Sequence, residues 1–471
     1  MAPQAKTKPT TIVIFGVTGD LASRKIIPAL FDLYRENMLP ERFHIVGFSR
    51  RGWSNAQFQK FLKPLIKKSN KRASEKSIAD FLKNTCFQEG TFDNLQSYRA
   101  LGEKTLEIDE MMNGCANKLF YLATPPIHYG SIFKHLARSG LTIPCGGEEG
   151  WTRVLVEKPF GKDLNTAQKL DTLMAQLFRE EQIFRIDHYL AKETLQNILT
   201  FRFSNTLFEP IWNREHIERV EIKLLEKERI TERGEFYDQN GALRDVGQNH
   251  LLQMLSLVAM EDPGDLNAEA IRTQRAAVLS ALAPIKTKGM DHLVTRAQYK
   301  GYTKEKEVTR TSKTETYFKI IAHINNKRWK GVPFTLESGK ALGEECTEVN
   351  IYFKQKMTCV CELEPNQKLQ NILTFSIKPH EGIVARFWAK KPGFTMHVEP
   401  RELSFNYRSP KDTRHPHDAY EQVLYDCIRG EQTLFASTDE VRAAWEFITP
   451  ILKHWNTLPL HAYAPGHLPR T

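Results

Sequence analysis

The chain has 471 residues, 41% hydrophobic and 26% charged, with 66 Lys and Arg against 56 Asp and Glu and a net charge of +10. This is ordinary globular usage and argues against disorder or a collagen-like chain. The most apolar stretch, Leu251 to Met260, contains Gln253 and Ser256 and is far shorter than the about 20 residues of a membrane span.

The start, Met1 to Pro9, is polar and basic without the apolar core of a secretory signal, and reads as a short frayed arm. Apolar runs of buried-strand length follow at Thr11–Phe15, Phe43–Phe48, Lys118–Ala123, Arg153–Val156 and Ile183–Ile186. Between the last two, Leu164, Ala167, Leu170, Leu173, Met174 and Leu177 recur at helical spacing, with Asp163 as a cap. Strands alternating with helices imply a parallel sheet covered on both faces. The basic run Lys63 to Arg72 reads as a solvated helix face and loop, because no nucleic-acid motif accompanies it. Neither a nucleic-acid partner nor a membrane is therefore expected.

The second half changes character. Thr314–Ile324, Glu348–Lys354, Thr358–Leu363, Asn371–Ile377, Ile383–Trp388 and Leu403–Tyr407 are strand-like and closely spaced, which favours antiparallel pairing. Helical patterns cover Gly241–Met260, Asp418–Cys427 and Asp439–Trp455. The expected architecture is α/β plus α+β: a Rossmann-type domain over residues 1–185, then a larger domain over 186–471 with a mainly antiparallel sheet flanked by helices. The seven cysteines are scattered, with no CxxC pair and no Cys/His metal pattern. Neither a disulfide framework nor a metal is expected, and a reducing cytoplasm fits best.

Gly16-Val17-Thr18-Gly19-Asp20-Leu21-Ala22 follows the first strand. Glycines there let the backbone approach a diphosphate at a helix N-terminus, so the spacing predicts a dinucleotide site. The second strand ends in Ser49-Arg50-Arg51, where an NAD enzyme usually carries an acid. Guanidinium groups suit a 2′-phosphate, so NADP is the expected cofactor, with Arg50 as its contact.

Two segments concentrate reactive groups. Arg185-Ile-Asp187-His188-Tyr189-Leu-Ala-Lys192 follows a buried strand, at the end where open α/β sheets bind ligands. Lys192 and His188 could hold a phosphate, with Tyr189 donating a hydrogen bond. Gly241-Ala-Leu-Arg244-Asp245-Val-Gly-Gln-Asn249-His250 holds an imidazole whose ordinary pKa of about 6.5 suits general-base work. A carboxylate could fix its tautomer, but in a straight α-helix Asp245 and His250 point about 140° apart.

These residues carry a resemblance to the glucose-6-phosphate dehydrogenase family, running from Thr11 to about Trp455. It includes Gly16-x-x-Gly19-Asp-Leu-Ala, Tyr121-Leu-Ala-Thr-Pro-Pro126, Glu157-Lys158-Pro159-Phe-Gly161, Arg185-Ile-Asp-His-Tyr-Leu190, Arg244-Asp-Val-x-Gln-Asn-His250, Gly331-Val-Pro-Phe334, Gly339-Lys-Ala-Leu342 and Asp418-Ala-Tyr420. The segment beginning at Arg185 is specific to that family; the glycine turn is not. The resemblance implies oxidation of glucose 6-phosphate at C1 to the 1,5-lactone, with hydride passing to NADP. His250 would be the general base and Asp187, rather than Asp245, its orienting partner. His188, Tyr189 and Lys192 would hold the phosphate, and Glu226 and Asp245 would accept hydrogen bonds from sugar hydroxyls. Lys25, Lys158 and Lys340 would be further ligands, and Pro159 and Tyr129 would lie against the cofactor, Pro159 after a cis bond. A homodimer or homotetramer built through the antiparallel sheet is implied.

The chain departs from that family in three places. Glu345 stands where many members have Lys or Arg, and with Cys346 and Ser376 it removes cations by which eukaryotic members hold a second NADP; one NADP per subunit is expected. Gly247 interrupts a helix at a cost of about 1 kcal/mol relative to Ala. Cys145-Gly-Gly-Glu-Glu-Gly150 varies a loop. Sugar dehydrogenases of the glucose-fructose oxidoreductase type share the domain plan but lack the Arg185 segment. A non-catalytic descendant would be expected to have lost His250 or Asp187, and both are present.

Overall fold

Runs such as Thr-Ile-Val-Ile-Phe become central strands because both faces are walled by neighbours, which rewards β-branched and aromatic side chains. In the computed structural model, which describes residues 8–145, 150–355, 369–407 and 417–469, these runs form β1 (Thr10–Phe15), β2 (Phe43–Ser49), β3 (Thr85–Glu89), β4 (Asn117–Leu122), β5 (Thr152–Val156) and β6 (Ile183–Ile186). Every residue of β1, β2, β4 and β6 is buried. They pair in parallel in the order β6-β5-β4-β1-β2-β3, and Phe435–Ala436 adds an antiparallel strand outside β6. This is the doubly wound order, with its switch point between β1 and β4.

The first unit comprises Met1–Gly161, Asn165–Ala191 and His417–Thr438. The single division expected at residue 185 is therefore modified twice. The turn after β6 stays with its strand, closed by the Leu190 amide donating to the Asp187 carbonyl at 3.0 Å. The segment 417–438 returns from far along the chain. Arg153 explains why: its guanidinium donates at 2.7 Å to the carbonyls of Cys427 and Ile428, near the C-terminal end of the helix Ala419–Arg429. Those orphan carbonyls need such a donor. Phe435 then packs edge-on against Phe184 at 4.8 Å.

Arg185 is 1% exposed and wholly structural: it donates to Glu180, Asp171 and Thr438 at 2.6–3.0 Å. Cys115 and Cys145 are joined by a disulfide, contrary to the expectation from the scattered cysteines. Thirty residues separate them, but the parallel pairing of β4 and β5 (Lys118 opposite Thr152) brings the segments before both strands together.

The second unit comprises Lys162–Leu164, Lys192–Pro416 and Asp439–Thr471. Its strands are β7 (Ile217–Leu225), β8 (Val294–Tyr299), β9 (Tyr317–His323), β10 (Pro333–Gly339), β11 (Cys346–Phe353), β12 (Ile372–Lys378), β13 (Gly382–Lys390) and β14 (Val398–Asn406). They lie in the order β14-β13-β12-β11-β7-β10-β9-β8, followed by Leu460–Tyr463. The pairing is antiparallel except for β7 with β10 and β8 with Leu460–Tyr463. The alternation read in β9 holds, with Phe318, Ile320 and Ala322 buried. The expected strand Thr358–Leu363 lies outside the described residues. Leu252–Ala259 is a helix buried on every side, which explains its continuous apolarity. No helix among the described residues is long and apolar enough to cross a membrane.

Candidate functional site

In the first unit, β1 runs directly into the glycine turn. Gly16 has φ +77°, and a Cβ there would fall 2.6 Å from the Ala123 carbonyl oxygen, so only glycine fits. The Gly19 amide donates to the Gly16 carbonyl at 2.9 Å, and a Cβ on Gly19 would lie 3.1 Å from that same oxygen. Helical backbone begins at Asp20 and passes through a π-turn, Ala22–Ile26, into the α-helix Ile27–Arg35. The turn from Gly16 through Thr18 to Leu21 thus sets a helix N-terminus at the switch point, in a cradle that a side chain would fill. That fits a diphosphate. Asp20 pairs with Arg24 at 3.0 Å.

At the end of β2, Ser49 is buried, Arg50 is exposed, and the Arg51 guanidinium lies 4.8 Å over the Trp53 ring. One strand further out, Glu89 stands opposite Ser49, and a Cβ on Gly52 would lie 3.5 Å from its carboxylate. Reading β2 alone missed this acid, because pairing with β3 is what places it.

β5 ends in Glu157-Lys158-Pro159. Glu157 is buried and accepts a hydrogen bond from the Tyr121 hydroxyl at 2.6 Å. Burial pushes its carboxyl up to about 7, against the opposing pull of the Tyr121 hydrogen bond and Lys158, while Asp187 adds to the rise. Tyr129 is fully buried, and its hydroxyl donates to the Glu157 carbonyl at 2.9 Å. The Lys158–Pro159 peptide bond is cis, and Lys158 is half-buried.

β6 delivers Asp187, 2% exposed, into a tight turn in which its carboxylate accepts from the Tyr189 amide at 3.0 Å. The His188 ring lies 5.0 Å from that of Tyr189 and stacks on Tyr420 at 5.9 Å with the planes 16° apart. The same Tyr420 ring lies 6.0 Å from the Lys25 ammonium, which pairs with Asp418 at 3.0 Å. Asp418 caps the helix by accepting from the Tyr420 amide. Asp418-Ala-Tyr420 therefore joins Lys25 to His188. Nothing local to that segment of sequence gives Tyr420 a role or announces that it returns to the first unit.

In the second unit, Gly241 breaks the helix Gly234–Ala242 at φ +70°, where a Cβ would sit against the Glu315 carboxylate. Glu315 accepts from the Leu243 amide at 3.0 Å and from the Trp455 indole at 2.7 Å. From there Leu243–Leu251 is a π-helix. Its i→i+5 bonding makes residues five apart close neighbours, so the separation of about 140° expected for Asp245 and His250 in an α-helix does not apply. His250 is 3% exposed and Asp245 half-buried. Gly247 is explained by packing: a Cβ would fall 2.7 Å from both Leu243 and Phe318.

Lys340 and Glu226 form an ion pair at 2.5 Å. They follow β10 and β7, whose parallel register sets Gly339 opposite Leu225 and so puts the two C-terminal ends side by side. Lys192 is the N-cap residue of the helix Glu193–Phe203. Glu345, the departure noted above, pairs with Lys378 at 3.7 Å.

A doubly wound sheet with a glycine cradle at its switch point, followed in the chain by a large mixed sheet, defines a dinucleotide-binding protein. The family models agree: the glucose-6-phosphate dehydrogenase NAD binding domain matches residues 13–197 and the C-terminal domain residues 199–469. A glucose-6-phosphate 1-dehydrogenase of Aggregatibacter actinomycetemcomitans is 40% identical over 460 residues, 95% of this chain and 91% of that protein. The Chlamydia muridarum protein of that name is 38% identical over 462 residues, 96% and 91% of the two chains. A solved glucose-6-phosphate dehydrogenase in complex with its substrate superposes with a TM-score of 0.90 at 34% identity, over 99% of this chain and 96% of that one. The chain belongs to the glucose-6-phosphate dehydrogenase family, and with it to the oxidoreductases of glucose metabolism that use a nicotinamide dinucleotide.

Proposed function

We propose that the protein oxidises glucose 6-phosphate at C1 to 6-phosphoglucono-1,5-lactone, with His250 as general base, Asp187 as the carboxylate that orients it, and NADP as hydride acceptor. The observation that supports this is the π-helix Leu243–Leu251, which carries His250 buried and Asp245 half-buried. His250 takes the C1 hydroxyl proton as the C1 hydride leaves. When bound, the nicotinamide supplies the electrophile for that hydride. His188, Tyr189 and Lys192 hold the phosphate, helped by the helix N-terminus that Lys192 caps. Glu226 and Asp245 accept from sugar hydroxyls, Lys340 and Lys25 add positive charge, and Lys158, Pro159 and Tyr129 border the nicotinamide. Gly16, Thr18, Gly19, Asp20 and Leu21 cradle the diphosphate, and Arg50 favours the 2′-phosphate. A cytoplasmic location and a homodimer or homotetramer belong to the same proposal, on the strength of the resemblance. Light scattering of the purified protein tests the assembly.

The chemistry is tested by His250→Asn. Turnover falls by about 10² to 10⁴, the usual contribution of a general base, while glucose 6-phosphate binding measured by calorimetry is largely kept. Asp187→Asn loses less, because it orients rather than reacts. Near-native kcat in His250→Asn refutes the assignment.

A further inference from the structure

Glu315 is a buried carboxylate of the second unit, 2% exposed, for which the proposed chemistry has no use. It stands two residues before β9. Its Oε1 accepts from the Leu243 amide at 3.0 Å and its Oε2 from the Trp455 indole at 2.7 Å. The Glu315 carbonyl accepts from the Ala242 amide at 3.2 Å. The indole is held in turn: Trp455 is 5% exposed, and the Arg296 guanidinium lies 5.8 Å from its ring.

These contacts replace a missing local cap. Gly241, at φ +70° and ψ 172°, breaks the helix, so the amides that follow it open a new one and are left without intrahelical acceptors. Ala242, the N-cap residue of the π-helix Leu243–Leu251, makes no side-chain cap hydrogen bond. Glu315 supplies both acceptors from 72 residues beyond Leu243, and negative charge at a helix N-terminus is favoured by the dipole. The carboxylate fits there because position 241 lacks a Cβ. Asp245 comes two residues after Leu243, and His250 seven.

We propose that Glu315 is a positioning residue for the reaction: it fixes the first turn of the π-helix and so sets where Asp245 and His250 stand, with Trp455 holding its carboxylate in place. This rests on the reading of Asp245 as a sugar-hydroxyl acceptor and His250 as general base. Glu315 is sealed from solvent, so it acts through the helix backbone. Asp245 is nearer the fixed end than His250, and loosening that end therefore disturbs sugar binding more than proton transfer.

Glu315→Gln keeps the size and one acceptor oxygen, but its amide N–H groups then meet a donor, either the Leu243 amide or the Trp455 indole. The expected result is a KM for glucose 6-phosphate raised about tenfold, the scale of a hydrogen bond to a charged group, with kcat changed by no more than about twofold and NADP affinity unchanged in fluorescence titrations. Trp455→Phe alone leaves Leu243 bonded to the carboxylate and raises that KM by about threefold. In the double variant the indole donor is gone and the glutamine oxygen is free to turn to Leu243, so it performs like Trp455→Phe alone, better than Glu315→Gln. An unchanged KM in Glu315→Gln, a parallel loss of NADP affinity, or losses that add in the double variant overturns the proposal. Should Glu315→Gln not fold, Trp455→Phe decides, and an unchanged KM there overturns it. If Asp245→Asn by itself leaves the KM for glucose 6-phosphate unchanged, the reading of Asp245 falls, a result distinct from an unaffected Glu315→Gln beside a sensitive Asp245.

Discussion

Glu157 offers a test in which the fold itself reports the electrostatics of the site. Its carboxyl is buried, hydrogen-bonded by Tyr121 at 2.6 Å, and pushed from 4.5 up to about 7. A carboxyl raised in the folded state binds a proton there that the unfolded chain releases sooner. The stability it contributes is complete below about 4.5 and is lost as pH rises towards about 7. That gap corresponds to on the order of 3 kcal/mol, at about 1.36 kcal/mol per pKa unit. Glu157→Gln keeps the size and an oxygen for Tyr121 but cannot ionise. Thermal melts of wild type and Glu157→Gln without ligands, from pH 4.5 to 8, should therefore diverge: wild type loses stability relative to the variant across this window. In a unit of this size 1 kcal/mol moves Tm by about 2–4 °C, so the relative change should reach several degrees. A difference in Tm that stays flat across the window refutes the raised carboxyl.

Three further outcomes are expected. Lys192→Ala raises KM for glucose 6-phosphate far more than for free glucose, since the ammonium should meet only the phosphate at about 1.5–3 kcal/mol; equal losses for both sugars contradict that role. Arg50→Ala combined with Arg51→Ala weakens NADP binding more than NAD binding in fluorescence titrations, and with Glu89 left one strand away the preference should turn towards NAD; parallel losses refute the 2′-phosphate assignment. Calorimetric titration with NADP gives one site per subunit: Lys378 is already paired with Glu345 at 3.7 Å, and a carboxylate facing a phosphate at 4 Å opposes it by about 4 kcal/mol at an effective dielectric of 20. A stoichiometry of two overturns that reading.

What could be read from the residues follows from how local the cause is. β1, β2, β4, β5 and β6 were legible because central parallel strands are apolar throughout. β3 was not, because Thr-Cys-Phe-Gln-Glu is mixed and its strand state comes from pairing with β2. The helix around His250 was legible as helix, but its π-form was not. The glutamate that caps it, Glu315, is far away in sequence, and Gly247 read as a flaw until Phe318 was seen packed against it. Arg185 looked reactive inside a polar cluster and proved to be scaffold, because Asp171, Glu180 and Thr438 converge on it only in three dimensions. Tyr420 and the Cys115–Cys145 pair were hidden in the same way, by contacts between segments distant in the chain.

The β7–β10 pair shows why so much of the candidate site came from the resemblance rather than from pattern. Quick succession of strands implied antiparallel neighbours, and most of the second sheet obeys. β7 and β10 instead run parallel, which requires a long crossover between them, because parallel strands cannot be joined by a tight turn. That crossover contains β8 and β9 and also the π-helix with Asp245 and His250. Parallel pairing sets the ends of β7 and β10 together, which is where Glu226 and Lys340 meet. The same rule operates in the first sheet, where the ends of β1, β5 and β6 carry the glycine turn, Glu157-Lys158 and Asp187. Both units thus place part of their candidate residues, the glycine turn, Glu157-Lys158 and Asp187 in one and Glu226 and Lys340 in the other, after the C-terminal ends of parallel strands. No window of sequence shows that property for β7 and β10, because it depends on which strand each one chooses as its neighbour.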